Sequence, residues 1–235
     1  MKNYRQDTAI VTKSASQAER SESREQIDYK NELARKAIHL ASILIPVIYF
    51  HITKEIALMI LVPMSLGFLL VDLLKMFVRP VADLYYRYFG ALLRPHELDT
   101  TQRNFNGATY VTLSAVLVVW LFPKMIAIAA FAILILADTA AALVGRKIGK
   151  VRIGAKTLEG SIAFLLFALL VVFATPRLNP AVGLVIAVSA TIAELYPIKL
   201  GNWSIDDNLS IPLVSATAGM ICYILFIPHE LALLN

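Results

Sequence analysis

The chain reads as an all-α, polytopic integral membrane protein with about seven transmembrane helices and a cytosolic interfacial helix, amino terminus inside and carboxyl terminus outside. Three observations predict this. Of 235 residues, 58% are apolar and 17% charged, with a mean hydropathy of +0.67; soluble domains carry roughly half and a quarter. The apolar residues gather into long runs, where a soluble core would space them at period 3.6 or 2. Nineteen of the 22 Lys and Arg then fall on one side of the resulting map. Ten Gly, ten Pro and one Cys exclude collagen-like and disulfide-stapled classes, and Cys222, inside an apolar run, offers neither an intrachain disulfide nor a thiolate metal site.

Residues 1–29 form a polar tail of mixed charge, expected to be mobile and cytosolic and to hold no cleavable signal, because no apolar stretch follows its first basic residues. Residues 30–235 form a single membrane-embedded domain. Runs long enough to approach the roughly 30 Å of a hydrocarbon core lie near 34–50, 56–76, 108–122, 125–144, 161–175, 181–198 and 211–227. The third and fifth are short. Pro123, Pro176, Pro180 and Pro228 fall at expected ends, where helices stop most easily.

Positive charge sets the orientation. The segment before and entering the first span carries eight Lys and Arg, the link 77–107 with Lys75 five, the link 145–160 five, and the link after span six Lys199. Lys54, Lys124 and Arg177 are left for the other side. Cytosolic loops collect such residues, and the net charge of +5 is explained by this bias and by anionic lipid, with no call for nucleic acid. In the link 77–107, Val81, Leu84, Tyr85, Tyr88, Phe89 and Leu92 share one helical face, the pattern of a helix lying on the cytosolic leaflet or packed on the bundle.

Ionisable groups inside spans cost a few kcal/mol each, so Asp72, Asp138 and Glu194, in spans two, four and six, draw attention. All three sit near the cytosolic ends of helices running the same way and are expected to converge at one depth, roughly 5–10 Å below the boundary. Beyond Asp138 comes a strip holding Gly145, Arg146, Lys147, Gly149, Lys150, Arg152, Gly154, Lys156, Thr157, Glu159 and Gly160. Backbone N–H donors beside cationic side chains suit a polyphosphate, although positive-inside bias alone accounts for the charge. A P-loop is excluded, since Ala155 separates Gly154 from Lys156 and an apolar helix replaces the strand. Asp206, Asp207 and Asn208 supply hard oxygen donors in the partial number that Mg²⁺ takes alongside phosphates and water, or equally an N-cap for span seven. Glu32, Arg35, Lys36 and His39 make one polar face where span one enters the membrane.

Taken together, Glu32-Leu-Ala-Arg35-Lys36-Ala-Ile-His39, Arg94-Pro-His96-Glu97, Asn106-Gly-Ala-Thr109-Tyr110, Asp138 to Gly149, Lys156-Thr-Leu-Glu-Gly-Ser161, Glu194 and Asp206-Asp-Asn-Leu-Ser-Ile-Pro212 resemble the polyprenol kinase family. That family includes dolichol kinases, phytol kinases and CTP-dependent diacylglycerol kinases, and the resemblance runs in order over about residues 30–227. It implies transfer of the γ-phosphoryl group of a nucleotide, often CTP, to the hydroxyl of a lipid alcohol at the cytosolic leaflet. On that resemblance Asp138, Asp206 and Asp207 hold Mg²⁺, with Glu159 or Asn208 assisting. Arg146, Lys147, Lys150, Lys156 and Thr157 grip the triphosphate, which Gly145, Gly149 and Gly160 allow backbone to approach. Glu194, before His39, accepts the alcohol's proton, and Glu32, Arg35, Lys36, Arg94, Glu97 and Thr109 orient the site.

Two rival readings use the same residues. A cytidylyltransferase would join CMP to a lipid phosphate, but such an acceptor wants further cations where an alcohol wants a base, and Glu194 favours the alcohol. A transporter would relay protons or a cation through Asp138 and Glu194; the sequence offers no inverted repeat, and its outer side is nearly featureless.

Overall fold

A computed structural model describes residues 33–90, 93, 105–200 and 203–235, with 199–200 and 203–204 described through the backbone. Glu32, Arg94, His96, Glu97 and the tail lie outside the described residues. Each of the seven expected apolar runs is a helix. α1 (Leu33–His51), α2 (Lys54–Phe77), α5 (Lys124–Ile148) and α8 (Asp207–Phe226) are long and apolar enough to cross a membrane, while α4 (Gly107–Leu121), α6 (Leu158–Ala174) and α7 (Pro180–Leu195) are shorter apolar helices. α3 (Arg79–Phe89) follows α2, and a 3₁₀ turn, Pro228–Leu234, ends the chain.

Local chemistry sets these limits. Thr53, Asn106, Thr157, Asn179 and Asp206 each cap a helix through a side-chain oxygen that accepts an N–H of the first turn. Pro46 lacks an N–H, so the Ser42 carbonyl cannot receive the usual i+4 bond; it accepts from Ile45 N at 3.0 Å, and α1 tightens there. α5 is the centre. It is apolar all round, and Ile126, Ala129, Ala130, Ile133, Leu134, Ile135 and Ala137 have no exposed surface. α6, α8, α4 and α1 pack on it, and α7 closes the ring by packing against α6 and α8. Close approach needs small residues. A Cβ on Gly219 of α8 would come within 2.6 Å of Ile186 on α7.

α3 is amphipathic as its spacing predicts, with a different face turned inward. Val81, Ala82, Tyr85 and Tyr86 are half-buried, whereas Leu84, Tyr88 and Phe89 are exposed, so Tyr86 exchanges sides with Leu84 and Tyr88. Leu92 lies outside the described residues.

Two features of the links escape a reading by apolar runs. β1 (Arg152–Ile153) and β2 (Lys156–Thr157) form an antiparallel hairpin between α5 and α6, and β3 (Lys199–Leu200) and β4 (Trp203–Ser204) form another between α7 and α8. Gly154, at φ 61°, takes the first turn position of the earlier hairpin, a conformation that a β-carbon disfavours. Both hairpins sit at the end of the bundle where α5 and α7 finish and α6 and α8 begin, called here the basic end.

Candidate functional site

Asp138 lies ten residues before the end of α5, because that helix continues to Ile148, past the expected limit of 144. Its Oδ2 meets Lys36 Nζ of α1 at 2.5 Å and His39 Nε2 of the same helix at 3.7 Å. Lys36 and His39 are one turn apart, so one face of α1 delivers both to one carboxylate. His39 Nε2 also stands 3.5 Å from the Leu134 carbonyl oxygen.

A second ion cluster forms where three elements meet. Lys156 Nζ, in β2, is 3.0 Å from Glu194 Oε1 near the end of α7 and 3.0 Å from Asp207 Oδ2 in the first turn of α8. Ser161 Oγ donates to Glu194 Oε2 at 3.3 Å. Burial alone would pull the Lys156 ammonium below its ordinary value, but the Asp207 and Glu194 carboxylates outweigh it and hold the pKa above 10.5. Lys156 is therefore a fixed cation at any physiological pH.

Between these clusters opens a cavity of about 490 Å³. Asp138, Gly145 and Arg146 of α5 and Gly149 just after it line it together with Arg152, Lys156 and Thr157 of the first hairpin, Gly160 of α6 and Glu194 of α7. Its size is that of a small-molecule site, and its lining mixes three cations with two carboxylates. The three glycines serve close approach of helices as well. A Cβ on Gly145 would stand 2.8 Å from Thr157 Oγ1, one on Gly160 2.9 Å from the same atom, and one on Gly149 would strike the Gly145 carbonyl oxygen. Thr157 thus sits in a seam that only glycines leave open.

The expected convergence of three carboxylates is corrected to two. Asp72 has no exposed surface and lies apart from the cavity, because α2 presents it to α4. It accepts from Asn106 N at 2.8 Å, Asn106 Nδ2 at 2.9 Å and Thr109 Oγ1 at 2.6 Å, and pairs with Lys75 Nζ at 2.6 Å. Tyr85 of α3 accepts from Asn106 Nδ2 at 3.1 Å, and its ring lies 4.7 Å from Lys75 Nζ. A fully buried carboxylate with a cation and three donors is satisfied. It locks α2, α3 and α4 together, and Thr109 belongs to that lock.

The other expected site residues divide. Arg35 is half-buried beside Lys36, and Lys147 and Lys150 are exposed, each following a cavity-lining residue in the chain. Glu159 faces backbone, accepting from Lys150 N at 3.0 Å and Val151 N at 3.3 Å. Asp206 accepts from Asn208 N at 2.9 Å and Asn208 Nδ2 at 2.7 Å, which satisfies the N-cap alternative. Among the described residues no three His, Cys, Asp or Glu side chains gather as metal ligands. Asp138 lines the cavity, and Asp207 adjoins it through Lys156, which lines the cavity as well.

Fold and site define an all-α membrane protein with a polar cavity at one end of its bundle. Comparison with known proteins adds its relatives. An uncharacterized protein, RP860, of Rickettsia prowazekii (strain Madrid E) is 32% identical over 192 residues, covering 79% of this chain and 92% of that protein. The chain belongs to the family of that Rickettsia protein. It is also distantly related to the CTP-dependent diacylglycerol kinase 1 of Schizosaccharomyces pombe (strain 972 / ATCC 24843), with 29% identity over 211 residues, 80% of this chain and 91% of the kinase. No family model matches the chain, and no solved structure matches it.

Proposed function

We propose that the protein is a polyprenol-kinase-type lipid kinase that transfers the γ-phosphoryl group of a nucleoside triphosphate, CTP by analogy with its fission-yeast relative, to the hydroxyl of a membrane lipid alcohol such as a polyprenol, phytol or diacylglycerol. In this reading all seven apolar helices cross the bilayer, with the basic end in the cytosol. The observation that carries the proposal is the cavity at that end, where Arg146, Arg152 and Lys156 face Asp138 and Glu194. Phosphoryl transfer asks mainly for positioning and for neutralising charge on phosphate oxygens, and this lining supplies both.

Arg146, Arg152 and Lys156 receive the triphosphate, with exposed Lys147 and Lys150 drawing it to the mouth. When Lys156 turns to a phosphate, Glu194 and Asp207 lose their cation. Glu194, 2% exposed, then takes the proton of the lipid hydroxyl as its oxygen bonds to the γ-phosphorus and the bond to the β-phosphate oxygen breaks. Its burial keeps that proton from bulk water. Lys36 and His39 orient the Asp138 carboxylate from α1. Asp138 and Asp207, as hard oxygen donors in partial number, fit Mg²⁺ completed by phosphates and water, and would hold it. Bound there, Mg²⁺ would offset the negative charge of the β- and γ-phosphates.

The test uses purified protein in nanodiscs with Mg²⁺, a panel of lipid alcohols and lipid phosphates, and CTP labelled at the γ- or the α-phosphate. γ-Label entering a lipid made from an alcohol is the expected result, and the alcohol that responds names the substrate. α-Label entering lipid with release of pyrophosphate would make the protein a cytidylyltransferase.

A further inference from the structure

α1 is held to the bundle in two different ways along its length. Towards its end the contact is apolar: Ile43 and Ile45 pack against the core, and Pro46 and Tyr49 are buried. From Leu33 to Ala41 no apolar residue is buried. Leu33, Ala34, Ala37, Ile38, Leu40 and Ala41 are all exposed, while the Lys36 side chain is buried. The contacts that hold this first half to α5 are polar. Lys36 Nζ bonds Asp138 Oδ2 at 2.5 Å and stands 3.4 Å from the Asp138 carbonyl oxygen, and His39 Nε2 reaches the Leu134 carbonyl oxygen at 3.5 Å.

The two halves meet at a tightened turn. Ser42 N, Ile43 N and Ile45 N each donate to the carbonyl three residues back, His39 O, Leu40 O and Ser42 O, all at 3.0 Å. An α-helix bonds four residues back, and a 3₁₀ stretch inside one is a natural hinge. Pro46 fixes it there by withholding the N–H that Ser42 O would otherwise accept.

Asp138 is also a residue of the cavity lining, so the first half of α1 stands behind that wall. The other helices close tightly on one another. α5 meets α6 across Gly145 and Gly160, and α7 meets α6 and α8 across Gly183 and Gly219; a Cβ on any of these would come within 3.1 Å of a neighbour. A nucleotide arrives from water, but a lipid alcohol keeps its chains in the bilayer, so its hydroxyl has to pass between helices. Displacing the first half of α1 breaks polar contacts and no buried apolar packing.

We propose that the lipid alcohol enters the cavity sideways from the bilayer, between the first half of α1 and α5, with the turn at Ser42–Pro46 as hinge and the Lys36–Asp138 pair as latch. The inference rests on the lipid-kinase reading given above. While the path is open, the Lys36 ammonium reaches the headgroups on its long stem; closing again returns it to Asp138.

The test uses the full chain in nanodiscs with two photoreactive lipid alcohols, a diacylglycerol and a polyprenol, each carrying a diazirine beside its hydroxyl end. Label that excess plain alcohol displaces is expected on the inward residues Lys36, His39 and Asp138. Pro46→Ala restores the N–H and stiffens the turn. It is expected to lower kcat/KM for the long-chain acceptor several-fold, leaving the KM for nucleotide and transfer to a short-chain, water-soluble alcohol unchanged, because that acceptor enters from the aqueous side. Displaceable label on α6, α7 or α8 instead, or label confined to the outward Ile38 and Leu40, overturns the sideways path and leaves the kinase reading intact. So does a Pro46→Ala protein that treats long and short acceptors alike. Displaceable label on Lys36, His39 and Asp138 with no γ-label transfer to any alcohol upholds the path and overturns the kinase reading.

Discussion

At the basic end, Lys36 and Lys156 meet carboxylates, at 2.5 and 3.0 Å, around a cavity. At the opposite end the cations meet backbone. Lys54 Nζ donates to the Trp120 carbonyl at 2.6 Å, Lys124 Nζ to that of Ile52 at 2.9 Å and Arg177 Nη1 to that of Asn235 at 3.5 Å. There Tyr223 OH accepts from Asn179 N at 2.8 Å, Asn179 Nδ2 donates to Glu230 at 3.0 Å, and Leu234, at the end of the 3₁₀ turn, is fully buried. The difference is one of replaceability. A cation on a backbone carbonyl ties two chain segments and has nothing to trade. A cation shared between carboxylates beside an open cavity can be exchanged for a phosphate or a metal at little net cost in charge. One end is fastened and the other is poised.

Four measurements sharpen or break this contrast. The largest effect is expected from Asp138→Asn, which should lower γ-label transfer roughly a thousandfold and, by leaving buried Lys36 without its carboxylate, should lower the melting temperature in nanodiscs as well. A large loss of stability with turnover retained would reverse the assignment. Next is Asp72→Ala, which leaves Lys75 buried without its carboxylate and should cost about 3–5 kcal/mol of stability. Its KM for nucleotide should stay unchanged, since Asp72 lies outside the cavity; a raised KM would return it to the site. Third, Leu234→Ala should cost about 2–4 kcal/mol by hollowing the opposite end, again with KM unaltered.

The smallest is a pH effect. The pKa of Lys156 is raised on folding, so its stabilisation is complete below 10.5, the unfolded value, and is lost as pH rises through the higher folded value. Melting followed from pH 9 to about 11.5 should therefore show an alkaline decline that Lys156→Met flattens. Leu234→Ala should leave that decline in place.

Much of the fold was legible because apolar runs state where helices lie, and proline and polar caps state where they stop. The gathering of Asp138, Glu194 and Lys156 at one end of the bundle was legible as well, since charge near a span is costly enough to stand out. Angular position was not. Asp72 sits at a similar depth along its own helix, yet depth does not say toward which neighbour a residue turns, and Asp72 turns toward α4. The hairpins were missed for a different reason. Strands of two residues carry no periodicity, and their signal was the similarity of 151–158 to 198–205, visible once the two links are aligned on Gly154 and Gly201. The backbone bonds of Glu159 and Asp206 were not legible, because a carboxylate's type is plain in sequence while its engagement with nearby N–H groups is not.

The two buried lysine–aspartate pairs also differ in when they can form during synthesis. Asp72 and Lys75 are one turn apart, so their pair can form as soon as α2 is helical. Lys36 and Asp138 are separated by 102 residues, so at the usual pace of translation Lys36 waits roughly 5–20 s for its partner to be made. A lysine near the end of α1 can pass that interval with its ammonium among the lipid headgroups. Lys156 waits in turn for Asp207, 51 residues later. The ion cluster beside the cavity is thus completed only when the first turn of α8 has been made, and a ribosome-bound fragment ending before α8 would lack both that carboxylate and a helix that packs on α5 and α7.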